Sequence, residues 1–160
     1  MLGLTAILHT HNDALRIARA VESLRPCDEV LVIDHASADE TCWVARAFGA
    51  RVILASEDAA RNYLREALHD WILCLSPTES ISEGLEASLL EWKLRGDPSE
   101  ISAETAFAVQ ILEETEAGWV THLPEARLGH RVRAAWTNGM PVAGEKTPVL
   151  VGHVLRLRTP

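Results

Sequence analysis

The chain has 160 residues, 48% of them hydrophobic and 24% charged, a composition that suits one globular domain with a sizeable core. Its formal net charge of −8 argues against general nucleic-acid binding, and no apolar run reaches the roughly 20 residues that span a bilayer. Cys27, Cys42 and Cys74 are widely spaced without a CxxC pair, so they read as reduced thiols rather than a disulfide framework or a zinc site; with no signal-like leader, the cytoplasm is the expected compartment.

Leu4 to Leu8 is a continuous apolar run ending in His9-Thr10-His11-Asn12, which predicts a buried strand. Asn12 is expected to cap the next helix, with Asp13 in its first turn and Ala14, Ile17, Ala18, Val21 and Leu24 as its buried stripe. Val30 to Ile33 is a second buried strand. Ser37-Ala38-Asp39-Glu40 has the form of a capping box ahead of a second helix, whose C-terminal turn suits Gly49. Arg51 to Leu54 predicts a third strand, and Ser56-Glu57-Asp58 a third helix with Ala60, Tyr63, Leu64 and Ala67 on one face. Trp71 to Leu75 reads as a fourth strand. Ser80-Ile81-Ser82-Glu83 reads as a second capping box, opening a helix to about Lys93, and Gly96-Asp97-Pro98-Ser99 closes the unit.

Apolar strands alternating with amphipathic helices predict a Rossmann-like, mostly parallel α/β sheet with helices on both faces. After residue 104 the pattern changes: Ala106 to Leu112, Trp119 to Leu123 and Val149 to Leu157 read as strands of an antiparallel, strand-rich final third, with turns at Gly118, Asn138-Gly139 and Gly144. The chain is expected to form a single domain, with a nucleotide-binding half over 1–95 and a smaller half over 104–160. Charge divides along the same line. Residues 1–125 hold 9 basic and 22 acidic side chains, or −13, and residues 126–160 hold 6 and 1, or +5. Arg127, Arg131, Arg133, Arg156 and Arg158 then either solvate exposed strands or face phosphate, an acidic protein partner or an anionic membrane surface.

Ligands of open parallel sheets bind beyond the carboxyl ends of the strands, which is where Thr10-His11-Asn12-Asp13, Asp34-His35 with Ser37, and Ser76 to Glu79 fall. His9, His11 and His35 invite a metal reading, but no zinc-ligand spacing frames them. These segments carry a resemblance. Thr10-His11-Asn12-Asp13, Ile33-Asp34-His35-Ala36-Ser37-Ala38-Asp39-Glu40-Thr41, Gly49-Ala50-Arg51-Val52, Ala60-Arg61-Asn62 and Trp71 to Glu79 follow one another as do the motifs of family 2 glycosyltransferases, over about the first 90 residues. The chain therefore resembles that family, whose A-type fold binds nucleoside diphosphate sugars.

The resemblance implies transfer of a sugar from such a donor to a hydroxyl acceptor, saccharide or lipid-linked, with inversion. It implies that Asp34 accepts from the nucleobase, that Thr10, Asn12 and Asp13 line the nucleotide pocket, and that Arg61 lies near the base or diphosphate. It also implies Mg²⁺ or Mn²⁺ held by an Asp-x-Asp pair. At those positions this chain has Ser76 and Thr78, with Glu79 as the remaining carboxylate of the motif. Gly118-Trp119, Arg127-Leu128 and Trp136 resemble later positions of short members, and Glu145 is the match for an acceptor-side base. An exposed loop glutamate beside Lys146 is the other reading of Glu145. Two alternatives stand beside the transferase: a non-catalytic nucleotide- or protein-binding relative, self-associating or with another partner, and an unrelated doubly wound domain.

Overall fold

The computed structural model describes residues 1–58, 62–96 and 104–158. The first strand, β1 (Leu4–Thr10), leads through a turn to α1 (Ile17–Ser23) and back to β2 (Glu29–Asp34). Then come α2 (Thr41–Ala47), β3 (Arg51–Leu54), a 3-10 turn over Tyr63–Glu66, β4 (Trp71–Cys74), the short β5 (Glu79–Ile81) and α3 (Glu83–Arg95). The chain ends in β6 (Ala106–Thr115), β7 (Gly118–His130), a small hairpin of β8 (Trp136–Thr137) and β9 (Met140–Pro141), and β10 (Val149–Arg156). One eight-stranded sheet has the order β3-β2-β1-β4-β7-β6-β10-β5. Its first four strands are mutually parallel, β7 is antiparallel to both neighbours, and β10 runs parallel to β6 but antiparallel to β5.

Alternation along the strands builds two cores. Leu4, Ala6 and Leu8 of β1, Val32 of β2 and Leu73 of β4 pack with Ile17, Ala20 and Val21 of α1, Ala45 of α2 and Leu85 and Leu89 of α3. Ile7, Leu31, Ile33, Ile72 and Cys74 face the other way, against Tyr63, Leu64 and Ala67 near the 3-10 turn and Trp136 and Met140 of the hairpin. Both faces of the sheet are covered, one by α-helices and the other by the 3-10 turn and the hairpin. No helix among the described residues is long and apolar enough to cross a membrane.

Several element starts differ from expectation for one shared reason: the polar side chains expected to cap helices are used elsewhere. Asn12 sits at φ 53°, its side-chain oxygen accepts from Ala38 N at 2.8 Å, and α1 begins only at Ile17, without a side-chain cap. Ser37 gives its hydroxyl to Asp34, a charged acceptor that outcompetes a helix amide, so the first capping box does not form and α2 starts at Thr41. In the segment expected as a third helix, the described part holds only the 3-10 turn, which Asn62 caps by accepting from Leu64 N at 3.0 Å. Ala60 of that expected face lies outside the described residues, as do Asp97, Pro98 and Ser99. The second box loses Ser80 to β5, and Ser82 instead caps α3, accepting from Leu85 N at 3.2 Å.

Gly152 makes the packing of α3 on β10 possible. Its φ is +106°, and a Cβ there would lie 2.1 Å from Leu85 N, so the strand backbone runs directly against the first turn of α3. The register of β10 against β6 shifts at this point, between Leu150 and His153, and sets the stretch of β10 that ends in Arg156.

Candidate functional site

The loops after β1 and β2 are tied into one unit. Asp34, 2% exposed, accepts from Thr10 Oγ1 at 3.1 Å and from Ser37 N at 3.0 Å, besides the Ser37 hydroxyl. Burial pushes its carboxyl up, but the Ser37 hydroxyl and amide, Cys42 and Thr10 more than reverse this, leaving it below the usual carboxylate range. Ser37 Oγ also accepts from Asn12 N at 2.9 Å. Asp13 accepts from His11 N at 2.9 Å, pairs with Arg16 at 2.9 Å, and donates its own amide to the Thr41 hydroxyl oxygen at 2.8 Å. Four of the residues singled out from sequence, Thr10, Asn12, Asp13 and Asp34, are thus brought together. Arg61 lies outside the described residues.

The histidines stand next to this network. His9 Nδ1 and His35 Nε2 are 2.8 Å apart, within hydrogen-bond distance, while His11 Nδ1 meets the His35 carbonyl at 2.5 Å. Burial first, and then the neighbouring His35, lower the pKa of His9 from 6.5. No group of three or more His, Cys, Asp or Glu among the described residues is arranged to hold a metal ion.

His9 also opens onto a cavity of about 300 Å³ at the carboxyl ends of β1 and β4. Ile7, Cys74 and Ser76 form its sheet side, Gly139 and Met140 of the hairpin cover it, and Arg127 and Arg156 close its far wall with Glu79. Asn138 and Gly139 both have positive φ, 51° and 73°, as a tight two-residue hairpin requires, and Cys74 Sγ contacts the Gly139 carbonyl at 3.5 Å. Burial pushes the Cys74 thiol up to about 12, so it is a neutral wall rather than a nucleophile.

Glu79 is 1% exposed and fully engaged. Arg127 grips both its oxygens, at 2.8 and 2.8 Å, Ser76 N donates to Oε1 at 2.9 Å, and Arg156 approaches Oε2 at 3.2 Å. Burial raises its carboxyl, and Arg127, the Ser76 amide and Arg156 together hold it below its ordinary 4.5. Ser76 and Thr78 bond to each other, Oγ to Oγ1 at 3.0 Å. Hard divalent cations need anionic or carbonyl oxygens with free lone pairs. Two paired neutral hydroxyls and one carboxylate shared by two guanidiniums do not fit that requirement.

Arg127 corrects the reading of the basic tail as surface solvation: it is 4% exposed and bonded to Glu79, Glu125 and the Cys74 carbonyl. Arg131 pairs with Asp70 at 2.9 Å and Arg158 with Glu116 at 3.1 Å. Glu145 lies on the exposed turn between β9 and β10, and it is not among the residues that line the cavity. No motif or periodicity marks the Arg127–Glu79 pair, whose members lie 48 positions apart.

No family model matches the chain. It is 36% identical over 91 residues to an uncharacterized glycosyltransferase of Rickettsia felis, a match covering 54% of this chain and 32% of that protein. The chain thus spans about a third of the length of the curated relatives it matches. Among solved structures, glucosyl-3-phosphoglycerate synthase from Mycobacterium tuberculosis, in complex with Mn²⁺, uridine diphosphate and phosphoglyceric acid, is similar with a TM-score of 0.52 and 19% identity, over 72% of this chain and 45% of that one. S. aureus TarS 1–349 is similar with a TM-score of 0.53 and 18% identity, over 78% and 39% of the two chains. The chain is therefore similar in sequence to uncharacterized glycosyltransferases over about half its length, and it shares the fold of these two solved structures.

Proposed function

We propose that this chain is the donor-binding part of a glycosyltransferase that moves a sugar from a nucleoside diphosphate to a hydroxyl acceptor with inversion. The observation that carries the reading is the convergence of Thr10, Asn12 and Asp34 at the carboxyl ends of β1 and β2, the edge where open parallel sheets take their ligands. Asp34 is ionised at neutral pH and suits a nucleobase N–H. Its acceptor positions are held by Ser37 and Thr10, so the base displaces the Ser37 hydroxyl rather than entering a vacant position. Arg61 is assigned to the base or diphosphate by the same resemblance. The acceptor hydroxyl attacks the anomeric carbon as its bond to the diphosphate oxygen breaks, and a carboxylate takes the hydroxyl proton. Glu145 is the candidate for that base, on a loop that would have to close over the acceptor, which is a saccharide, a lipid-linked saccharide or a small phosphorylated acid.

The test is calorimetric titration of a panel of nucleoside diphosphates into the wild type and Asp34→Ala. Binding of one base in preference to the others, weakened at least about tenfold by the substitution, is the expected result. A panel bound equally by both proteins would refute the assignment of Asp34.

A further inference from the structure

We propose that the cavity at the carboxyl ends of β1 and β4 receives the phosphates of its ligand directly on Arg156, without a divalent cation; this rests on the donor-site reading above. An arginine has five N–H donors. Those of Arg127 are all spent, on Glu125 from Nε, on Glu79 and the Cys74 carbonyl from Nη1, and on Glu79 and Glu125 from Nη2. Arg127 therefore contributes charge but no contact.

Arg156 differs. Its side chain is 33% exposed, it lines the cavity, and it meets Glu79 at 3.4 and 3.2 Å from Nε and Nη2, longer than the bonds of Arg127. Among the described residues its bonds leave only from those two nitrogens, so Nη1 keeps two donors for a ligand.

The sign of the charge along the wall points the same way. Among the described residues Glu79 is the single acidic side chain lining the cavity, against Arg127 and Arg156; Glu125, outside the lining, pairs with Arg127 at 2.9 Å, so Arg156 is the cation that the cavity itself meets. A divalent cation placed at Glu79 would find every lone pair taken and two guanidiniums within bonding distance of the same carboxylate. An approaching phosphate would instead find the planar fork that suits its oxygens, flanked by the Ser76 hydroxyl. The cationic role that a metal ion fills between protein and diphosphate passes here to a side chain of β10.

The proposal is tested by titrating UDP and inorganic pyrophosphate into the protein, in EDTA and in excess Mn²⁺. Both ligands are expected to bind in EDTA, with affinities within about threefold of those in Mn²⁺, and Arg156→Gln weakens both at least about tenfold. Arg156→Lys keeps the charge without the fork and falls between the two, which separates loss of charge from loss of fold. The comparison of EDTA with Mn²⁺ needs no variant. Binding of UDP only when Mn²⁺ is present overturns this proposal and leaves the donor-site reading standing. Metal-free pyrophosphate binding that needs Arg156, with UDP no tighter than pyrophosphate, supports the phosphate subsite and removes the nucleotide reading. Binding of neither ligand in either condition overturns both.

Discussion

Replacing Arg127 by methionine leaves the Glu79 carboxylate buried with only the Ser76 amide, at 2.9 Å, and Arg156, at 3.2 Å. Removing one member of a buried ion pair typically costs about 3–5 kcal/mol. Because Arg156 stays as a partial partner, the expected loss is at the lower end, about 3 kcal/mol, or a fall in melting temperature of about 6–12 °C for a chain of this size. The double variant Arg127→Met with Glu79→Met removes both charges and returns to within about 1–2 kcal/mol of the wild type, since a well-packed apolar pair of similar volume is often as stable as the ion pair. Urea unfolding followed by circular dichroism measures both.

The effect of pH carries a definite sign. Glu79 is held below its ordinary 4.5 in the folded protein, so its stabilisation is complete above that value and disappears as pH falls through the folded-state value. Below it the carboxyl is protonated in wild type and variant alike, and the gap between them closes. A loss under about 1 kcal/mol at neutral pH, or single-variant effects that simply add in the double variant, would refute the reasoning.

Three further outcomes follow from the structure. Gly152→Ala places a methyl group 2.1 Å from Leu85 N at a φ of +106°, and is expected to cost about 3 kcal/mol in urea unfolding through strain and overpacking together. Ser37→Ala removes a hydroxyl that bridges Asp34 and Asn12; the expected loss is about 1–2 kcal/mol, with a rise in the Asp34 titration midpoint by NMR. His9 is expected to titrate below 6.5 by NMR, and His35→Asn to raise its midpoint only in part, because burial is the larger cause.

The parallel half of the fold was legible because its strands are continuous apolar runs: Val30 to Ile33 and Trp71 to Leu75 came within a residue or two of the observed β2 and β4. Helix starts were misread wherever a polar residue had a better partner than a helix amide. Asn12 and Ser37 look like caps until Ala38 and Asp34 are beside them. The strand expected over Trp119 to Leu123 runs on to His130 as β7, because the register shift opposite Val109 and Ile111 accommodates Pro124, and a proline in sequence reads as a strand end. The convergence of Thr10, Asn12, Asp13 and Asp34 followed from strand order alone. Arg127 did not, because a buried arginine is recognised only by its partner, and Glu79 comes from a different part of the sheet.

The pairing of Glu79 with Arg127 and Arg156 also determines what it would take to turn this edge into a metal site. Ser76 Oγ and Thr78 Oγ1 lie 3.0 Å apart, so aspartates at both positions would place two carboxylates close together at the mouth of the cavity. At an effective dielectric of about 20, a guanidinium about 4 Å from a unit charge is worth about 4 kcal/mol, and a divalent ion at that distance is repelled by about twice as much. New carboxylates would first be claimed by Arg156, whose Nη1 has donors to give. Ser76→Asp with Thr78→Asp is therefore expected to bind Mn²⁺ no better than wild type in calorimetric titration, and the same pair combined with Arg156→Gln to bind it measurably. Tight Mn²⁺ binding by the two aspartates alone would mean that the guanidiniums yield to the cation, and that the residues at 76 and 78, rather than the arginines behind them, decide the sign of charge this edge accepts.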